Sequence, residues 1–415
     1  MFDTAISGLQ AASTDLNVIG NNVANASSTG FKSSRALFSD MYAGGSAASN
    51  AVGIGVQLAS VNQQFTQGGM SITNNSLDMA IDGQGFFGLS DGGSMVYSRA
   101  GAFGTDREGY IVNSAGHRLT GYLADVQGTV TSQLGDLRIN TGNMQPAATS
   151  RVSASMNLDA GSESPVVAWP ATAFAFGDPA PDPSTYNSSS SLSIYDSLGN
   201  PHTLSLYLVN NGGNAWDVHT LVDGVTVGST PAATLAFGED GLIDPTTAEL
   251  SIAGWQPLGA NGLANGARVE DFSVSLLDSS QFGSPFTVHA LSQDGYTTGQ
   301  LSRVSVDQSG TVFTQYTNGQ SKALGQVALF NFANPDGLQQ LGDSAWAETL
   351  VSGAALVGEP GAGSLGTVQA GALEQSNVDI TAELVHLILA QRNYQANAQT
   401  IQAADTVTQT IINLR

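Results

Sequence analysis

Apolar residues recur at alternating steps of three and four near the start of this 415-residue chain. Between Phe2 and Val23 the spacing is unbroken, which is typical of a helix that packs against another helix. The run ends in the cluster Asn25–Gly30, whose closing glycine favours a helix C-terminus. The residues of this seam are Phe2, Ala5, Leu9, Ala12, Leu16, Ile19 and Val23.

A second helix is predicted over 377–415, a stretch that contains neither glycine nor proline. Ser376 or Asn377 can cap its N-terminus, and Asp379 and Glu383 fall in its opening turns, where the helix dipole favours acidic side chains. Its apolar stripe comprises Ile380, Leu384, Leu387, Tyr394, Ala398, Ile401 and Ile412.

The middle of the chain has the pattern of strands and tight turns. Leu77–Ile81, Leu204–Leu208 and Phe272–Leu276 alternate between apolar and polar positions, as half-buried strands do. Asp-Gly and Asn-Gly pairs, which favour hairpin turns, begin at Asp82, Asp91, Asn211, Asp223, Asp240, Asn261, Asn265, Asp294, Asn318 and Asp336. The pattern therefore predicts antiparallel β structure, and the high glycine content (49 residues) is explained by turns.

Composition divides this β region. Residues 146–188 are rich in proline, serine and alanine, and residues 146–284 carry 14 acidic but only 2 basic side chains. We therefore predict an α+β, mainly β protein in which the terminal helices pair like a coiled coil and two antiparallel β domains follow in a nested, discontinuous order. The predicted parts are the helical inner domain (1–30 and 374–415), connecting segments (31–71 and 358–373), an inner β domain (72–145 and 285–357) and an inserted outer β domain (146–284).

Charge and composition exclude several classes of function. The chain has 12 basic and 34 acidic residues, a formal charge of −22, which argues against binding to nucleic acid or to an anionic membrane. It has no cysteine, and its five histidines show no ligand spacing. The first basic residue is Lys32, and no apolar run approaches the roughly 18 residues of a membrane helix, so we expect neither a cleaved signal peptide nor membrane insertion.

No motif nominates a catalytic, cofactor or metal site. Gly83–Gly88 and Gly361–Gly366 both match the spacing of a dinucleotide-binding loop, but neither is followed directly by a predicted helix that could receive a phosphate. We therefore expect no catalytic residues, no cofactor and no bound metal.

The two predicted helices have more apolar surface than they can cover by pairing with each other. A lone helix of this length is marginally stable in water, so completing the burial requires neighbours from other copies of the chain. The predicted self-assembly interface consists of Leu9, Leu16, Ile19, Val23, Ile380, Leu384, Leu387, Tyr394 and Ile401.

Several motifs resemble those of the bacterial flagellar rod and hook proteins. Leu16–Asn25 followed by Thr29–Lys32 is similar to their N-terminal signature, and Ser376–Asp379 with Gln391–Ala398 to their C-terminal one. Further similarity, to the inner β domain of the family, is found at Gly83–Phe87, Tyr97–Phe103 and Gly121–Tyr122. The signature positions are Asn21, Asn22, Asn25, Gly30, Phe31, Gln391, Arg392 and Asn397.

The resemblance implies a non-enzymatic structural subunit whose terminal helices line a hollow filament, with the β domains outside. The large insert at 146–284 favours the hook: a self-assembling, curved, flexible tube that couples the motor and rod to the filament and transmits torque. Implied partners are further copies of the chain, rod and hook–filament junction proteins, the hook cap and the flagellar type III export apparatus. The implied location is extracellular, in the hook and basal body of the flagellum.

Flexibility is expected from a tightly packed inner tube with outer domains that slide on polar contacts, and Gly44–Gly45 and the small residues up to Gly55 would let the layers shift. Two alternatives stay open. One is a distal-rod protein of the same family. The other is a secreted β-rich polysaccharide-binding protein or hydrolase, suggested by acidity and β content.

Overall fold

The computed structural model describes residues 2–41 and 53–413. Gly44 and Gly45, where layers were expected to shift, lie outside the described residues. Within the described part the chain is mainly β, with a helix at each end: α1 (Phe2–Ala24) and α2 (Ile380–Asn413). The fold class expected from the sequence is confirmed.

Twenty-nine strands lie between the helices in the described residues, most of them short. Strands β1–β10 are Ser34–Met41, Gly55–Gln63, Met70–Ile72, Met79–Asp82, Phe86–Asp91, Ser94–Ser98, Gly104–Thr105, Ile111–Val112, Arg118–Ala124 and Val130–Asp136. Strands β11–β20 are Arg151–Asp159, Ser188–Tyr195, Pro201–Gly212, Ala215–Val222, Val225–Thr226, Ala233–Ala236, Glu249–Trp255, Glu270–Ser275, Ser280–Phe282 and Thr287–Gln293. Strands β21–β29 are Leu301–Val306, Thr311–Tyr316, Ser321–Val327, Leu329–Asn331, Gln339–Gly342, Ala345–Ala347, Leu356–Gly358, Thr367–Ala370 and Ala372–Glu374.

The chain folds into two compact units. The frame unit comprises Met1–Thr141, Ser302–Gln315 and Ser321–Arg415, and the insert unit comprises Gly142–Leu301 and Tyr316–Gln320. The frame unit is thus built from segments that precede and follow the insert.

Strands from both sides of the insert pair in the frame unit. β9 pairs with β23, β5 with β24 and β6 with β26, all antiparallel. Aromatic rings pack beside these strands, where Phe86 and Trp346 lie 5.7 Å apart in an edge-to-face contact that stabilises aromatic pairs. The core of this region consists of Phe86, Tyr97, Ala328, Phe330, Phe332 and Trp346.

The insert unit contains two five-stranded sheets, one with β11 and β17–β20 and the other with β12–β16. Side chains of both sheets belong to one hydrophobic core, in which Leu206 and Trp216 of one sheet join Met156 and Val274 of the other. The insert therefore has a single core between two sheets, which is the arrangement of a β sandwich.

Parallel pairing in the insert was not foreseen. β11 pairs in parallel with β18 and β19, and antiparallel with β20. Two parallel strands need a long connection between them. Here the chain from β12 to β17 connects β11 to β18. Hairpin signals in the sequence report only local antiparallel pairs, so they could not reveal this one.

The turn signals themselves are reliable. In eight of the ten Asp-Gly and Asn-Gly pairs the glycine has a positive φ, the left-handed conformation that glycine adopts without a steric penalty. The exceptions are Gly295 and Gly337, and Gly337 belongs to a short 3-10 helix at Pro335–Gly337.

Helix α2 begins later than the sequence predicted, and its cap is a different residue. The Oδ1 atom of Asp379 accepts hydrogen bonds from the backbone N–H of Thr381 (2.8 Å) and Ala382 (3.2 Å). Asp379 therefore caps the helix, and the expected caps Ser376 and Asn377 are wrong. Asn377 cannot cap because its side chain is engaged by the loop before β3, as described below.

Candidate assembly interface

Helices α1 and α2 pack against each other in antiparallel orientation. Near one end of the pair, Asn22 Nδ2 donates to Glu383 Oε1 at 3.1 Å. Toward the other end, Gly8 faces Asn397 so closely that a Cβ atom on Gly8 would stand 2.8 Å from the Asn397 amide. These two contacts define the register of the helices.

The apolar seam of α1 contacts two elements of the same chain, α2 and the β1–β2 hairpin. Its buried residues are Ala5, Ala12, Ile19 and Asn22. Of the predicted interface residues, Ile19 is buried, whereas Leu9, Leu16 and Val23 are half-buried. Leu9 lines a groove of about 580 Å³ that α1 forms with Met41 and Leu58 of the β1–β2 hairpin. The apolar stripe of α1 is therefore divided between α2 and this hairpin.

The predicted interface residues of α2 separate into two groups. Leu387 and Ile401 are half-buried on the side of α2 that carries the buried Ala390, while Tyr394 is 39% exposed. Ile380 and Leu384, in the first turns of α2, are exposed. The structure thus does not bring Ile380 and Leu384 against α1.

Three more apolar residues were missed by the sequence analysis. They join Ile380 and Leu384 in what we call the apolar collar, whose members are 46–53% exposed: Ile380, Leu384, Val385, Ile388 and Leu389. The sequence did carry a signal for this exposed surface. Five of the six residues in 384–389 are apolar, which is more than one face of a helix can bury.

Asn22 links three elements. Besides its bond to Glu383, its Nδ2 donates to the Ser34 carbonyl (2.8 Å) and its Oδ1 accepts from the Ser34 N–H (2.9 Å). The side chain is almost completely buried, so both polar ends need these partners. The signature residue Asn22 therefore joins α1 to β1 and α2.

The neighbouring signature asparagines lie at the end of α1. Asn25 Nδ2 donates to the carbonyl of Asn21 (3.0 Å), and Asn25 Oδ1 accepts from Ser28 Oγ (3.1 Å). Asn21 itself is exposed. These bonds satisfy groups that the helix end would otherwise leave unpaired.

Gly30 and Phe31 follow directly. Gly30 has a φ of 67°, donates its N–H to the Glu374 carbonyl at 2.8 Å, and lies so near Ala100 that a Cβ would come within 2.5 Å of its backbone nitrogen. Phe31 is buried. Only glycine fits at position 30, because both the conformation and the space exclude a side chain.

Beneath the helices lies a buried cluster of three charges. Lys32 Nζ is 2.6 Å from Glu374 Oε1, and Arg99 Nη1 is 3.2 Å from Glu374 Oε2. Lys32 also donates to the Thr66 carbonyl (2.7 Å), and the Gly68 N–H donates to Glu374 (2.9 Å). Burial lowers the pKa of Lys32 and of Arg99, and Glu374 opposes that shift in both.

Asn377 secures the segment that enters α2. Its Oδ1 accepts from the Ser33 N–H (2.7 Å), and its Nδ2 donates to the carbonyl of Gln64 (2.7 Å) and to Thr66 Oγ1 (2.9 Å). The remaining signature residues, Gln391 and Arg392, are exposed on α2. They lie on the part of the helix that a single copy leaves uncovered.

One acidic side chain lies within the helix layer. Burial raises the pKa of Asp15, and the charges of His386 on α2 and Arg35 on β1 partly oppose this shift.

Among the described residues no helix is long and apolar enough to cross a membrane. That part of the chain also holds no cluster of His, Asp or Glu side chains arranged for a metal ion.

The order of these elements defines the class of protein. Four family models match the chain. At the two ends, residues 2–32 match the flagella basal body rod protein family and residues 369–414 match the flagellar basal body rod FlgEFG protein C-terminal family. Between them, residues 80–155 match the flagellar hook protein FlgE/F/G D1 domain and residues 157–296 match the flagellar basal body protein FlaE D2 domain. The chain is thus built as an axial protein of the bacterial flagellum.

Comparison with curated relatives shows which kind of flagellar protein the chain resembles. The flagellar hook protein FlgE of Salmonella typhimurium is 41% identical over 420 residues, with 100% of both chains covered, and that of Escherichia coli K12 has the same identity and coverage. The chain therefore belongs to the flagellar hook protein family, and it is a structural subunit of the bacterial flagellar hook.

A solved structure shares the fold. The crystal structure of Helicobacter pylori flagellar hook protein FlgE2 aligns with a TM-score of 0.51 at 14% identity, covering 72% of this chain and 99% of that one. At this identity the likeness concerns the fold alone.

Proposed function

We propose that the subunit polymerises through its terminal helices into a curved, flexible, hollow tube. The observation that carries this proposal is the apolar collar on α2, whose five large side chains remain about half exposed in a single copy. Burying a large aliphatic side chain contributes about 1.5–3 kcal/mol, so a few such contacts per subunit are enough to drive assembly.

In this tube the segments 1–30 and 374–415 form the inner wall, joined through 31–71 and 358–373 to an inner β domain (72–145 and 285–357) and an outer one (146–284). The predicted interface residues then have two roles. Ile19, Leu387 and Ile401 pack within the subunit, whereas Ile380, Leu384 and the exposed part of Tyr394 meet neighbouring copies. Leu9, Leu16 and Val23, half-buried in one copy, complete their burial in the polymer.

The tube would couple the rod to the filament and transmit torque without catalysis. Its partners would be rod and hook–filament junction proteins, with the hook cap and the flagellar type III export apparatus acting during assembly outside the cell. The lack of cysteine in the chain would avoid oxidation during this transfer.

Single substitutions in the collar test the proposal. Leu384→Gln and Leu389→Gln each place a polar amide on an exposed position, so the free subunit should keep its melting temperature. Assembly should require a concentration about tenfold higher or more, which corresponds to about 1.4 kcal/mol per subunit. Electron microscopy and sedimentation measure tube formation.

Leu263→Gln is the matched control, because Leu263 is an exposed leucine of the insert unit. It should form tubes like the unaltered chain. If both collar variants polymerise as readily as this control, the collar is not the assembly surface. If the unaltered chain forms no tubes under any condition, self-assembly itself is refuted.

A further inference from the structure

One end of the insert unit holds a cavity of about 800 Å³. Three loops contribute to its wall: the β12–β13 turn with Asn200, the β14–β15 turn with Asp223, and the β17–β18 loop with Asn265. His202, at the start of β13, lies beside these loops and is 6% exposed. The position of His202 allows one side chain to contact more than one loop.

The imidazole of His202 lies between two carboxylates. Its Nδ1 is 2.6 Å from Asp223 Oδ2, and its Nε2 is 3.3 Å from Asp196 Oδ2. An ionised carboxylate only accepts hydrogen bonds, so each ring nitrogen must carry a hydrogen to bond it. Neutral imidazole has one N–H, and only the imidazolium ion has two. Both contacts can therefore be hydrogen bonds at the same time only in the imidazolium form of His202.

Asp196 extends this contact to the third loop. It is completely buried, and its Oδ2 also accepts hydrogen bonds from Asn200 Nδ2 (2.9 Å) and Asn265 Nδ2 (2.6 Å). Asp223 is anchored in turn by the backbone N–H of Thr203 (2.8 Å). The three loops are thus connected through one imidazole and its two acids.

The charged groups that face the ring are these two acids. On β12 the residue opposite His202 is Ile194, and β17 contributes the indole of Trp255, whose ring centre is 5.2 Å away. Neither of these two neighbours carries a charge. A proton lost from the ring would leave the Nε2 lone pair directed at the buried Asp196.

We propose that protonated His202 is a clamp that holds the three loops around this cavity together, and that the loops loosen when the proton is lost. The hydrogen bond to Asp223 raises the pKa of His202, more than burial lowers it. Because the folded pKa lies above the unfolded one, the clamp is complete below about pH 6.5 and is lost as the pH rises through the raised value.

Asp196 and Asp223 set the lower limit of the pH range in which the clamp is complete. Burial opposes ionisation of Asp196 and of Asp223, but their hydrogen bonds outweigh it and lower the pKa of both. Their contribution is present above the ordinary aspartate pKa and is lost as the pH falls through the lowered values. The loops should therefore be tightest between those values and the raised pKa of His202.

The full-length chain with ¹³C-labelled histidine provides the first test, since it has only five histidines. The His202 resonance should titrate with a midpoint above about 6.5, the ordinary value for histidine. Amide hydrogen exchange in residues 196–200, 223–224 and 256–267, corrected for the intrinsic pH effect, should accelerate through that midpoint. Each pKa unit between closed and open loops corresponds to about a tenfold change in the opening equilibrium.

Variants supply the second test. His202→Gln should exchange rapidly in these loops at every pH, whereas His289→Gln, the same change at an exposed position of the insert unit, should behave like the unaltered chain. A His202 midpoint at or below 6.5, or an unchanged pH dependence in His202→Gln, would overturn the proposal. If His202→Gln does not fold, the titration and exchange of the unaltered chain decide the question.

Discussion

Lys32 and Glu374 are 342 positions apart in the sequence, yet Nζ and Oε1 lie 2.6 Å apart and both side chains are completely buried. Lys32 follows α1, and Glu374 ends β29, the last strand before α2. One carboxylate therefore holds the segments that connect both terminal helices to the β structure of the frame unit. Because Arg99 binds the other oxygen, the carboxylate is shared by two buried cations.

Replacing Glu374 with glutamine should strongly destabilise the frame unit. The change keeps the shape of the side chain but leaves Lys32 and Arg99 buried without a counter-charge. Breaking a buried ion pair in this way costs about 3–5 kcal/mol. Urea unfolding measures the loss, and Glu108→Gln, at an exposed position of the same unit, should change stability by about 0.5 kcal/mol or less. Equal stability of the two variants would show that the cluster contributes nothing net.

Replacing Asn22 with alanine should loosen the helix pair. The substitution removes the bonds to Glu383 and Ser34 and leaves the half-buried Ser34 N–H without this acceptor, at a cost of about 1–3 kcal/mol. Hydrogen exchange along α1 and α2 should accelerate accordingly. Asn17→Ala, on an exposed face of α1, is the control and should leave exchange nearly unchanged. Similar behaviour of both variants would rule out Asn22 as the link between α1, β1 and α2.

Two glycines of α1 should respond oppositely to the same change. Gly20→Ala has open space and should stabilise α1 by about 0.5–1 kcal/mol, because alanine has the higher helix propensity. Gly8→Ala drives a methyl group into Asn397, and overpacking of this kind costs about 1–3 kcal/mol. Exchange rates of α1 amides measure both effects. Equal protection in the two variants would mean that Gly8 and Asn397 are not in close contact.

The insert unit should lose stability in mild acid because of His219. Its ring stacks on Trp169 with centres 4.2 Å apart, and burial lowers the pKa of His219 to about 4, with Asp217 partly opposing the shift. The unfolded chain binds this proton near pH 6.5, so stability is lost as the pH falls from about 6.5 toward 4, by an amount on the order of 2–3 kcal/mol.

His219→Phe keeps an aromatic ring on Trp169 and removes the proton. Urea unfolding at pH 7 and pH 4.5 should therefore show a smaller loss in this variant than in the unaltered chain. His289→Gln is the control, and its loss should match that of the unaltered chain. If His219→Phe loses as much stability as the unaltered chain, another group causes the acid sensitivity.

Much of the fold could be predicted because its signals are local. The steps of three and four in Phe2–Val23 depend only on neighbouring residues, and α1 ends at Ala24 as the pattern indicates. The Asp-Gly and Asn-Gly pairs likewise encode their own turns, since glycine adopts the left-handed conformation wherever it occurs. The signature asparagines were found through the resemblance to the family motifs, which did not reveal their hydrogen-bond partners.

The missed features depend on contacts between distant residues. Ile380 and Leu384 belong to the same apolar stripe as Leu387, yet periodicity cannot tell which side of a wholly apolar stretch meets α1. Asp379 caps α2 in place of the predicted Asn377, because the Asn377 amide is hydrogen-bonded to Gln64 and Ser33, residues more than 300 positions away.

The sequence by itself determined the two terminal helices, the turn-rich β body, the acidic insert and the resemblance to flagellar axial proteins. The tertiary structure decided which apolar residues stay exposed on α2, the parallel pairing of β11 with β18, and the charged contacts of Lys32 and His202. The physical reason is that helix periodicity and turn chemistry act between near neighbours. A buried charge, in contrast, is stable only beside a partner that the folded chain brings to it.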